Sequence, residues 1–69
     1  MRLNQVRKGV VNQYEMWRHS WMVRISEDTE VGHVTLTTWV NNGETCTGSR
    51  SYKTVKGAAK FAERWLTHN

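Results

Sequence analysis

Proline is absent from the 69 residues, so no strand or helix has to break for one. Cysteine occurs once, at Cys46, which excludes an intramolecular disulfide and a metal cluster built from cysteines of one chain. That usage suits a reducing compartment. No run approaches the roughly 18 apolar residues of a membrane span, and the N-terminus lacks the apolar stretch of a signal peptide, so the expected location is cytoplasmic. Leucine is scarce, with only Leu3, Leu36 and Leu66. Acidic residues are few, six against ten Lys or Arg, and three of the six lie together at Glu27, Asp28 and Glu30. Repeats, low-complexity tracts and linkers are also missing.

Catalytic patterns are missing too. The chain offers no Ser/His/Asp or Cys/His arrangement and no glycine-rich phosphate loop, and a thin core leaves little pocket volume. His19, His33 and His68 have no metal-ligand spacing. Cys46 reads as a structural thiol. The expectation is therefore a protein that is not an enzyme and holds neither metal nor cofactor.

What is present is one small domain. A chain this short buries only about 60% of its extended surface. Four tryptophans take over much of the work of leucine, each able to remove about 150–250 Å² from water. The formal net charge is +4 and the pI about 9.7. That bias favours an anionic partner, although basic charge also serves solubility alone.

The firmest element is the C-terminal stretch 53–67. At 100° per residue, Val55, Ala58, Ala59, Ala62, Trp65 and Leu66 share one arc, with Phe61 at its margin. This predicts an amphipathic helix, capped by Ser51 or Thr54. Residues 14–52 read as a three-stranded antiparallel sheet. Its strands are Trp17 to Ser26, His33 to Asn41, and Glu44 to about Tyr52. Glu27–Gly32 and Asn41-Asn42-Gly43 are the turns, the latter accepting the positive φ of a tight hairpin. The third strand is polar and reads as an edge, with Gly48 as a bulge. Val23, Ile25, Val34, Leu36 and Val40 form the apolar sheet face that answers the helix.

Residues 1–13 read as a basic, partly irregular arm carrying Arg2, Arg7 and Lys8. Two periods compete next to it. Leu3, Val6, Val10, Tyr14, Trp17 and Trp21 suit a helix, whereas Trp17, His19, Trp21, Val23 and Ile25 alternate as in a strand. The strand is favoured, since Gly9 costs a helix about 1 kcal/mol. The fold class is thus α+β, a βββα meander of three strands with one C-terminal helix on one face.

Two surfaces are candidates for function. Arg50, Lys53, Lys56 and Lys60 gather at and beyond the start of the helix, whose free N–H groups and partial positive charge suit phosphate. The same stripe is also what an ordinary solvated helix face looks like. On the sheet face away from the helix, Arg18, Arg24, Thr37 and Trp39 interleave cations with an aromatic, as base stacking or groove entry requires. Trp39 could instead fold over the sheet edge. His19 and His33 read as cross-strand surface residues.

Two resemblances bear on this. Trp21-Met22-Val23-Arg24-Ile25 leading into the sheet, and Ser51-Tyr52-Lys53-Thr54-Val55-Lys56-Gly57-Ala58-Ala59 leading into the helix, resemble the arm-type N-terminal DNA-binding domain of phage and transposon integrases. They also resemble the related plant ethylene-response type of domain. The likeness covers about 50 residues and is one of pattern. It implies a sheet laid in the DNA major groove, with Arg18, Arg24, Thr37 and Trp39 on the contacting face. Secondly, Gly48-Ser49-Arg50-Ser51-Tyr52-Lys53-Thr54-Val55-Lys56 is similar to the start of the last helix of double-stranded RNA-binding domains. That implies phosphate contacts from Lys53 and Lys56, and it would need a first helix within residues 3–17. Gly32-His33 sits near that family's loop histidine, and Tyr52 stands where the family has a lysine. In size and composition the chain is also similar to small phage-encoded accessory proteins.

The expectation is a duplex nucleic-acid-binding module, DNA before RNA, of phage or mobile-element type. The alternative is a small inhibitor or adaptor that contacts a protein through its tryptophan-bearing sheet face. A homodimer that buries Trp39 is a third arrangement.

Overall fold

The computed structural model describes residues 2–68. Its elements in chain order are β1 (Asn4–Arg7), β2 (Val11–Arg18), β3 (Trp21–Asp28), β4 (His33–Val40), β5 (Thr45–Tyr52) and α1 (Val55–His68). The strands form one antiparallel sheet in the order β1-β2-β3-β4-β5. The α+β character and the closing helix match the sequence reading. The three-stranded sheet does not: there are five strands, and the supposed arm 1–13 contributes β1 and the start of β2.

The cause lies at His19-Ser20. Arg18 pairs with Trp21 across this two-residue turn, and His19 takes a left-handed φ of 57°. Turns of this kind ordinarily advertise themselves with glycine, asparagine or aspartate. Here none is present, so the alternation through Trp17, His19 and Trp21 mimics one continuous strand. The helical spacing over Leu3–Trp21 is coincidental: Tyr14 and Trp21 lie on the helix side of the sheet, Trp17 on the open face, and Val6 and Val10 are exposed. His19 is accordingly a turn residue and not a cross-strand one.

Register then places the core. Met16, Val23 and Thr38 align across β2, β3 and β4, as do Tyr14, Ile25 and Leu36. Met16, Val23, Ile25, Val34 and Leu36 are buried beneath Ala58, Ala62 and Leu66 of α1. Val55, Ala59, Phe61 and Trp65 pack around them, as the helical arc required. Each fully buried aliphatic side chain here contributes about 1.5–3 kcal/mol. Alanine at 58 and 62 lets the helix approach the sheet closely. Buried Thr38 is satisfied by Thr47, with the two hydroxyl oxygens 2.8 Å apart.

The helix ends are tied down separately. Thr54 accepts the Gly57 amide at 3.1 Å, so Thr54 is the N-cap and Ser51 is not. At the other end Arg18 donates to the carbonyl oxygens of Leu66 (2.8 Å) and Thr67 (3.0 Å), groups that a helix cannot pair internally. Trp21 and Trp65 pack against each other beside this clamp, their rings tilted by 54° with centroids 5.3 Å apart.

The β4–β5 connection is a four-residue loop, with Asn41, Asn42 and Gly43 all at positive φ. It is longer than the tight Asn-Gly turn expected. The Asn42 amide donates to the Ser20 carbonyl, joining the two hairpin tips at this end of the sheet. A bulge interrupts the β4–β5 ladder at Thr47, next to Gly48. At the far end Thr29 donates from both its amide and its hydroxyl to the Val10 carbonyl. No helix among the described residues is long and apolar enough to cross a membrane.

Candidate nucleic-acid interface

The sheet has one face covered by α1 and one that is open. Strand alternation and register arrange the open face in rows across the strands. One row runs Trp17–Met22–Trp39, the next Asn4–Glu15–Arg24–Thr37–Ser49, and the next Arg7–Gln13–Ser26–Thr35–Ser51. Of the residues expected on this face, Arg24, Thr37 and Trp39 are there. Arg18 is not. It pairs with Trp21 and points to the helix side, where it caps α1.

Arg24 is also not a free cation. Its guanidinium donates to Glu15 Oε2 from two nitrogens, at 3.0 and 3.3 Å. It lies over the Trp39 ring at 5.2 Å. Trp39 donates its indole N–H to Thr37 Oγ1 at 2.8 Å, and Trp17 donates to Glu15 Oε1 at 3.1 Å. Glu15, Trp17, Arg24, Thr37 and Trp39 therefore form one connected group. The half-exposed ion pair adds about 1 kcal/mol or less to stability, but it cancels the charge that a phosphate would seek.

Met22 sits in the middle of the tryptophan row and is 1% exposed, although it lies on the open face. Gly43 of the β4–β5 loop closes over it. A Cβ at Gly43 would come within 3.1 Å of Trp17 Cη2 and 3.4 Å of Met22 Cε. Trp17 keeps 40% of its surface exposed. Glu15, Trp17 and Met22 escaped the sequence reading because their place depends on the β2–β3 register, which the unmarked His19-Ser20 turn conceals.

The second candidate surface lies on the helix side. Arg50 faces α1 from β5, with its guanidinium 4.4 Å from the Phe61 ring centre; Tyr52 flanks the same ring at 6.1 Å. Lys53, Lys56, Lys60 and Arg64 are exposed. Among the described residues the Arg24–Glu15 pair is the one ion pair, so no carboxylate directly contacts these cations, although Glu63 lies beside Lys60 and Arg64. A shallow groove on the outer face of α1 runs between Lys60, Glu63, Arg64, Thr67 and His68.

Charge separates along the chain. Residues 1–49 hold five Lys or Arg and five Asp or Glu, and are neutral. Residues 50–69 hold five cations against Glu63 alone, and so carry the whole net charge of +4. Because those residues form the end of β5 and the outer face of α1, the molecule has one basic side and one charge-balanced side.

Among the described residues no group of three His, Cys, Asp or Glu side chains could hold a metal ion. Cys46 is exposed and unbonded to any other cysteine. The three-stranded sheet that the integrase-type resemblance implied is not formed: the sheet has five strands, with the β1–β2 hairpin added before β3. The first helix needed by the RNA-binding resemblance is replaced by β1 and β2. Comparison with protein-family profiles, with curated proteins and with solved structures finds no match for this chain.

Proposed function

We propose that this chain is a non-enzymatic, cytoplasmic module that binds duplex nucleic acid, with DNA the expected form. It grips phosphates with Arg50, Lys53, Lys56, Lys60 and Arg64 on the helix side. The observation that carries this reading is the concentration of five Lys or Arg against Glu63 alone in residues 50–69, with Arg50, Lys53, Lys56, Lys60 and Arg64 all exposed. Counterion release from the duplex then drives association without any base readout. The groove between Lys60 and Arg64, with Lys53 and Lys56 exposed at the start of α1, supports the same mode. Arg18 and Arg24, already engaged within the chain, add little to it.

The test is a salt titration of binding to a random-sequence DNA duplex. Five phosphate contacts correspond to a log–log slope of about −4 to −5. Replacing Lys56 and Lys60 by Gln flattens the slope by about two. Absence of duplex binding at low salt sinks the reading, and equal affinity for duplex RNA removes the preference for DNA. The open face supports a second, compatible contact of another kind. Exposed Trp17 beside Trp39, on a face without net charge, favours a protein surface there over a phosphate one.

A further inference from the structure

We infer that the open sheet face is the self-association surface of this protein, and that its occupant is a second copy of the same chain. The face carries Arg7 and Arg24 against Glu15 and Asp28, and is charge-balanced. In a two-fold contact every group meets its own kind of surface, so a self-complementary patch must avoid a single sign of charge. The helix side, with its excess of cations, fails this condition.

The open face has what an interface centre needs. Trp17 and Trp39 are large aromatic anchors, and Met22 between them is already sealed from water. Both indole N–H groups have partners within the chain, so burying the two tryptophans strands no donor. The surrounding rows offer hydroxyl and amide groups at Gln13, Ser26, Thr35, Ser49 and Ser51, which suit a polar rim. Four strands of eight residues span a face of about 500 Å² per copy, or about 1,000 Å² in all. That is the low end of specific interfaces, so the dimer is reversible. With tryptophan rows in contact, the two helices lie on opposite outer sides. Combined with the duplex binding proposed above, one dimer would tie two duplexes together.

The experiment is light scattering and sedimentation of the pure chain without nucleic acid, from micromolar to millimolar concentration. This keeps its outcome independent of whether any duplex binds. A reversible rise from monomer to dimer mass is expected. Both Trp17→Glu and Thr35→Glu should return the chain to monomer, while Lys60→Glu should not. Thr35 lies away from the tryptophan row, so it decides the matter if Trp17→Glu fails to fold. A monomeric mass at millimolar concentration overturns the inference. So does a dimer that survives Thr35→Glu but is lost in Lys60→Glu. Tryptophan quenching by single-stranded nucleic acid at constant monomer mass also overturns it, since the face would then be a base-stacking platform.

Discussion

Single residues decide more here than in a larger domain, because each lies close to a surface. Arg18 is an instance. Its sequence neighbours suggest a free cation, yet it spends its charge on the last carbonyl groups of α1. A cation at a helix C-terminus is worth about 0.3–1 kcal/mol when exposed, enough to matter in a domain of marginal stability. Gly43 is a second instance. It has a φ of 83°, which an L side chain adopts only under strain, and a Cβ there would press on Trp17 at 3.1 Å. Gly43→Ala is expected to cost about 1 kcal/mol or more and to displace Trp17. Urea unfolding followed by tryptophan fluorescence checks both effects. An unchanged midpoint would mean that the loop relaxes freely.

At the scale of elements, the strands are unequal. β3 and β4 are flanked on both sides and carry Val23, Ile25, Val34 and Leu36 under the helix. β1 is a four-residue edge strand, exposed throughout, and is anchored mainly by partly buried Leu3. Native-state hydrogen exchange should therefore rank amides of β3 and β4 as slowest and those of β1 as fastest. The helix should lie between them, since it makes its stability by packing rather than by propensity. Exchange of β1 at the rate of β3 would show that the five strands open only as one unit.

For the whole molecule, the organising feature is its division into a basic side and a balanced side. Anything anionic that binds the folded basic side must stabilise the fold by mass action. With duplex at a hundred times Kd, the gain is about 2.7 kcal/mol. For a domain of this size that is a rise in Tm on the order of 10–20 °C. The same duplex concentration should raise the Tm much less for a chain with Lys53, Lys56 and Lys60 all replaced by Gln. Melting followed by circular dichroism measures this, and equal shifts in the two proteins would place the anion elsewhere.

How much of this was legible beforehand depended on the range of the signal. The sequence by itself determined α1, because the positions of Val55, Ala58, Ala62 and Leu66 are local and their period is unambiguous. It also determined the strand faces of β3 and β4, where strand alternation separates Val34 and Leu36 from Thr35 and Thr37. The basic group at the start of the helix follows from the same local pattern. Only the tertiary structure decided the number of strands, since the turn at His19-Ser20 rests on cross-strand pairing and carries no glycine, asparagine or aspartate to announce it. Only the tertiary structure decided the fate of the arginines. Whether Arg18 caps a helix 48 residues away, or Arg24 meets Glu15, depends on register, and register is a property of paired strands rather than of any one segment.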